Sequence, residues 1–143
     1  MNYNALSEYV DGLAHMASGC SRGIGPSYMR ACCYPRKDGL AAFARDYGVD
    51  AADLRLDPPG ASLEAVLTGW MGGTDASIAA ELARLLRLRL GDFRSVRTLA
   101  EDSPLCKKLS LDECGAGPFW FMEGLCFAEF ADGLVCLMVG NDE

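Results

Sequence analysis

Apolar residues near the start of the chain, Leu6, Tyr9, Val10, Leu13 and Met16, recur at three- and four-residue intervals. That spacing lines one face of a helix and predicts an amphipathic helix from Tyr3 to Met16, ending near Gly19. Residues 18–26 (SGCSRGIGP) are rich in Gly and Ser and close with Pro, which predicts a loop. A second helical stretch is expected from about Ser27 to Cys33, stopped by Pro35. Asp38 to Tyr47 puts Leu40, Phe43, Ala44 and Tyr47 on one side, a short core-facing helix that Gly48 terminates. Residues 49–61 are acidic and contain Pro58, Pro59 and Gly60, the marks of a connector. Ser62 can then cap a helix carrying Leu63, Val66, Leu67 and Trp70. The clearest helix follows, with Thr74 or Asp75 as cap, an Ile78, Leu82, Leu85 and Leu86 stripe, and an end near Gly91. A shorter helix is expected from Asp92 to Ala100, on Phe93, Val96 and Leu99 or Ala100.

The period changes after a polar stretch, 101–117. From Phe119 to Val139 the residues are mostly aromatic, β-branched or Cys, interrupted by Asp132-Gly133, a strong signal for a two-residue hairpin turn. Phe119 to Phe130 is read as one long strand or two strands bent at Gly124, with Leu134 to Val139 returning. The expected register sets Phe130 opposite Val135, Ala128 opposite Leu137, Cys126 opposite Val139 and Glu129 opposite Cys136. Cys126 and Cys136 then point to opposite faces and cannot be bridged, whereas a three-residue turn would put them on one face. The return strand is apolar on both sides, so helices or a second subunit must cover both faces. Helices first and an antiparallel hairpin or small sheet last make an α+β domain over 1–143, helical over about 3–100 and β over about 118–140.

Composition narrows the function classes. Half the residues are hydrophobic and the net charge is only -7, which excludes a disordered chain. The longest apolar stretches fall far short of the roughly 20 residues that span a bilayer. Met1 to Leu13 carries Glu8 and Asp11 but no Lys or Arg, unlike a secretion signal, so a cytoplasmic location is expected. With Asp+Glu 20 against Lys+Arg 13, neither DNA nor an anionic membrane is an expected partner. Seven cysteines are an odd number without secretory context, and most read as small buried hydrophobes.

Three constellations could carry chemistry. SGCSRGIG at Ser18 to Gly25 resembles the glycine-rich cofactor loop of the short-chain dehydrogenase/reductase family, in which glycines let the backbone approach a pyrophosphate. That family sets a buried strand before the loop and uses a Tyr-x-x-x-Lys pair. Here a helical pattern with Glu8, Asp11 and His15 precedes it, and Tyr34 is followed by Lys37 at another spacing. No cofactor is therefore expected. What remains is an anion site built from Ser21, Arg22, Gly23, Gly25 and Arg30, in a stretch with four cations and no acid from 20 to 37. The second constellation is Arg84, Arg87, Arg89, Arg94 and Arg97, read as helix surface paired with carboxylates.

The third is the thiols. Cys32 and Cys33 are candidate nucleophiles because Arg30, Arg36 and Lys37 would favour thiolate. No Cys-x-x-Cys occurs and His15 is the only histidine, so no metal site is expected. Glu123 and Glu129 would lie about 20 Å apart along a straight strand, too far for a glycosidase pair. Glu129 is expected to wet one face of the hairpin or to pair with Arg from a covering helix. The chain thus reads as a small cytoplasmic binding or protein-interaction module without catalysis of its own. Its expected partners are a second copy through the C-terminal sheet, another protein, or a small anionic ligand. The alternative is a thiol-dependent or anion-handling enzyme centred on residues 20–37.

Overall fold

The computed structural model of the protein describes residues 2–19, 28–60, 62–70, 76–105 and 122–140. Helix α1 spans Tyr3–Gly19, strand β1 Tyr28–Tyr34 and helix α2 Gly39–Tyr47, followed by a 3-10 turn at Ala51–Asp53. Helices α3 (Leu63–Trp70) and α4 (Ala76–Leu90) precede strands β2 (Phe93–Thr98), β3 (Met122–Phe130) and β4 (Gly133–Gly140). The class is α+β, with an antiparallel sheet in the order β1-β4-β3-β2.

The helix punctuation follows the sequence. Gly48 ends α2 in the left-handed region (φ 66), donating its amide to the Ala44 and Arg45 carbonyls. Ser62 Oγ accepts the Ala65 amide at 3.1 Å and caps α3.

Two elements differ from expectation. Residues 28–34 form a strand, not a helix, and residues 93–98 likewise. In β1 the period is two: Met29, Ala31 and Cys33 join the core beneath the helices, while Cys32 joins the core on the other face. Because both faces take apolar side chains, the alternation is hidden in the residue types, and helical spacing is matched by accident. In β2 only Val96 is fully buried, and pairing with β3 overrides a weak local preference.

The sheet lies between two apolar layers. One face carries Val135, Leu137 and Val139 against Val10, Ala14, Leu67, Leu82 and Leu86 of the helices. The other carries Cys136, Met138 and Phe127 against Phe43 of α2, Leu105 and the connector side chains Val49, Leu54 and Leu56. Every residue of β4 is accordingly buried, as its two-sided apolar pattern requires. The cover comes from this same chain.

The hairpin register is shifted by two from expectation. Phe130 pairs with Gly133, Ala128 with Val135 and Phe127 with Cys136, so the turn is Ala131-Asp132. Those two amides donate to the carbonyls of Asp92 and Leu90, which ties the turn to the end of α4. Gly133 is therefore a strand residue: a Cβ there would lie 3.1 Å from Cys33 Sγ and 3.3 Å from the Tyr34 carbonyl oxygen. A shift of two preserves the faces, and Cys126 and Cys136 do sit in opposite cores.

Both outer strands are covered. Helix α1 runs along β1, where Ser7 Oγ accepts the Cys33 amide at 2.8 Å and donates to the Cys33 carbonyl at 3.1 Å. One turn on, Asp11 Oδ1 accepts the Ala31 amide at 2.9 Å. Four helix residues rise about 6 Å and two strand residues about 6.8 Å, so an i, i+4 pair of acceptors meets alternate strand amides. On the far side, Gly60 and Val96 exchange backbone hydrogen bonds of 2.7 and 3.1 Å, and the Asp57 amide donates to Thr98 at 2.9 Å. The Pro58-Pro59 connector thereby closes the β2 edge.

Candidate functional site

Where β1 ends, Pro35 stops the strand and the chain turns through Lys37 and Asp38 into α2. This turn, the first two turns of α1 and one side of α2 enclose a cleft of about 660 Å³. Tyr3 and Ser7 border it from α1, Cys32 and Tyr34 from β1, and Arg45 and Tyr47 from α2. It is larger than the apolar groove between α1 and α4 (about 310 Å³) or the hollow over β2 and Glu129 (about 520 Å³).

Cys32 faces the cleft as part of a sulfur and hydroxyl cluster. Its direct cross-strand partner is Cys136, and the Tyr47 hydroxyl donates to Cys32 Sγ at 3.7 Å. Hydrogen bonds from Cys136 first, then from Tyr47 and Tyr34, draw the Cys32 pKa below the ordinary thiol value despite burial. The counter-effects fall on the partners. Burial, then the Cys32 sulfur, pushes Cys136 well up, and burial raises Tyr34 and Tyr47. Cys33 has the opposite fate: its sulfur lies in the helix-side core, and burial pushes it up to about 12. The two candidate nucleophiles thus point to opposite faces of the sheet; both border the cleft, but only Cys32 has its thiolate favoured.

The cause of that shift differs from the expectation of nearby cations. Arg30 gives its Nε to Asp11 Oδ1 at 3.0 Å, and Arg36 holds Glu129 Oε1 at 2.8 Å. Hydrogen-bond donors, Cys136 on the neighbouring strand first and then Tyr47 and Tyr34, lower the thiol, and the Arg30 charge is a lesser contribution. Of the proposed anion-site residues, Ser21, Arg22, Gly23 and Gly25 lie outside the described residues, as does Cys20. Arg30 is described, and its charge is engaged by Asp11.

Arg84 pairs with Glu81 at 2.5 Å and Arg87 with Glu64, while Arg89 lies over the Tyr9 ring at 5.8 Å. Arg94 and Arg97 stand on β2, so they do not share a helix face, and Arg97 Nε donates to the Asp57 carbonyl at 3.0 Å. Glu129 takes its arginine from the loop after β1 and not from a covering helix. Glu123 has its side chain outside the described residues. No cluster of three metal-ligating side chains occurs among the described residues. No described helix is long and apolar enough to cross a membrane.

Two features of the site were not found from sequence. Lys37 and Arg45 border the cleft without a carboxylate partner among the described residues, as do Arg89, Arg94 and Arg97 away from it, whereas Arg30, Arg36, Arg55, Arg84 and Arg87 each have one. Cys136 meets Cys32 only through the β1–β4 register, which no local pattern signals. Comparison with protein-family models, with curated proteins and with solved structures returned no match, so the geometry carries the functional argument.

Proposed function

We propose that this protein is a small cytoplasmic binding module whose ligand, a small molecule bearing an anionic group, seats in the cleft between α1, the end of β1 and α2. The observation that carries this reading is Lys37 and Arg45 on the cleft wall without carboxylate partners among the described residues, in a chain where acids outnumber bases 20 to 13. A cation beside a concavity that no carboxylate of the chain neutralises is available to an anionic ligand. Asp38 and Asp46 border the same cleft, and the Tyr34 hydroxyl engages Asp46. Their charge, with the net -7 of the chain, disfavours a nucleic-acid polyanion and favours a compact ligand. Free thiols at Cys32, Cys33, Cys126 and Cys136 suit a reducing compartment. With both outer strands covered by the chain itself, dimerisation through the sheet has no open edge among the described residues, so a single chain binding its own ligand is the simpler reading.

The test is a thermal-shift titration with inorganic phosphate and a panel of small carboxylates and phosphate esters. A ligand at 100 times its Kd adds about 2.7 kcal/mol of stability, which raises the melting temperature of a domain this size by several degrees. We expect a saturable rise that the exposed double substitution Lys37→Ala, Arg45→Ala removes while leaving the unliganded melting temperature nearly unchanged. No rise with any member, or one that the double substitution leaves intact, contradicts the reading.

The lowered pKa of Cys32 favours a second reading, thiol-dependent chemistry at the cleft, confined to Cys32 and not shared by Cys33.

A further inference from the structure

The amides of Ala31 and Cys33 point outward to Asp11 and Ser7, so those of Cys32, between them, point inward to β4. Cys32 and Cys136 are therefore a hydrogen-bonded cross-strand pair, for which the Cα atoms stand about 5.5 Å apart. That spacing lies within the range disulfides occupy, and both side chains project into the same core layer. No other pair of described cysteines is so placed: Cys33 and Cys126 are in the opposite layer, and Cys33 pairs with Val135 and Cys126 with Leu137.

Access is equally uneven. Cys32 borders the cleft, while Cys136 lies behind it with no exposed surface. A small oxidant entering from solvent meets one sulfur first and finds the second waiting behind it. Tyr47, which donates to Cys32 Sγ, stands at the entrance.

From this juxtaposition we propose that Cys32 and Cys136 form a redox site, in which a hydroperoxide oxidises Cys32 and Cys136 resolves it to a cross-strand disulfide. In the first step the Cys32 thiolate attacks the distal peroxide oxygen. The S–O bond forms, the O–O bond breaks, and the leaving oxygen takes a proton from a solvent water, giving a sulfenic acid, water or an alcohol, and a hydroxide released to solvent. In the second, the Cys136 sulfur attacks Cys32 Sγ. The S–S bond forms, the S–O bond breaks, and the departing hydroxide carries off the Cys136 proton as water. Two thiols lose two electrons and the peroxide gains them. This inference rests on the second reading, a reactive Cys32, and does not depend on the anionic ligand.

The experiment treats the reduced full-length protein with stoichiometric hydrogen peroxide, then alkylates, digests and maps it by mass spectrometry. The expected product has lost two hydrogens and contains a single Cys32–Cys136 cross-linked peptide. In Cys136→Ser the same treatment should stop at a dimedone-trappable sulfenic acid on Cys32. In Cys32→Ser peroxide consumption should fall at least about tenfold. Tyr47→Phe keeps both sulfurs and serves if a cysteine variant does not fold; it should slow the first step several-fold while the same cross-link forms. A cross-link joining other cysteines, or none, overturns the proposal, as does unchanged peroxide consumption in Cys32→Ser. Native alkylation separates the two failures: fast alkylation of Cys32 without a cross-link refutes the resolving role of Cys136 alone, and slow alkylation refutes the reactive thiol as well.

Discussion

Cys32 and Cys33 are joined by one peptide bond, yet burial pushes Cys33 up to about 12 while hydrogen bonds from Cys136 and two tyrosines draw Cys32 down. A strand sends neighbours to opposite faces, and here the faces differ in chemistry: hydrocarbon on one, hydroxyl and thiol donors on the other. Native alkylation with iodoacetamide should modify Cys32 first among the described cysteines, with an inflection below the ordinary thiol range. Cys33 and Cys126 should react only on unfolding, and their modification at the rate of Cys32 would contradict this assignment. The same shifts set a pH dependence. The raised groups Cys33, Cys126 and Cys136 hold their protons in the folded chain after the unfolded chain has lost them. Stability contributed by these groups therefore falls as pH climbs from the ordinary thiol range toward about 12. Cys32, shifted the other way, offsets part of this by favouring the folded state above its own lowered pKa. Urea midpoints should accordingly decline between about pH 8 and pH 10; a rise over that interval would reverse the sign.

At the scale of elements, the least protected feature of such a sheet is its outer strand, and α1 covers β1 with side chains, not backbone. Ser7→Ala removes both hydrogen bonds between the Cys33 backbone and the Ser7 hydroxyl and leaves its amide beside a helix. It should cost about 1–3 kcal/mol in urea denaturation; a loss under about 0.5 kcal/mol would mean that water replaces the hydroxyl. The helices were legible because their signals are local: Ser62 before Leu63, Gly48 after Tyr47, and the Ile78 to Leu86 stripe each declare themselves within a few residues. The paired C-terminal strands were legible for the same reason, through a turn and a run of β-formers. Strand β1 was not, since its partner β4 lies about a hundred residues away and its two faces are both apolar. Missing β1 also hid the site: without the Cys32–Cys136 register and the α2 tyrosine, Cys32 and Cys33 look equivalent. The exact turn was missed because backbone bonds to Leu90 and Asp92, not the Asp-Gly dipeptide, decide it.

At the scale of the whole molecule, the chain uses its sheet as a partition. Helices α1, α3 and α4 close one side and leave a continuous apolar core, while α2 and the connector cover the other side less completely. The cleft opens where the end of β1 passes between α1 and α2, and this is where Lys37 and Arg45 stand. The central claim is that this cleft binds an anionic small molecule, and the most direct measurement is a ¹H–¹⁵N NMR titration of the uniformly labelled protein with the panel member giving the largest thermal shift, or with inorganic phosphate if none does. The account predicts saturable shifts concentrated at Tyr34, Lys37, Arg45 and Tyr47, with the amides of β2 unmoved. Shifts centred elsewhere, or none up to millimolar ligand, would contradict it.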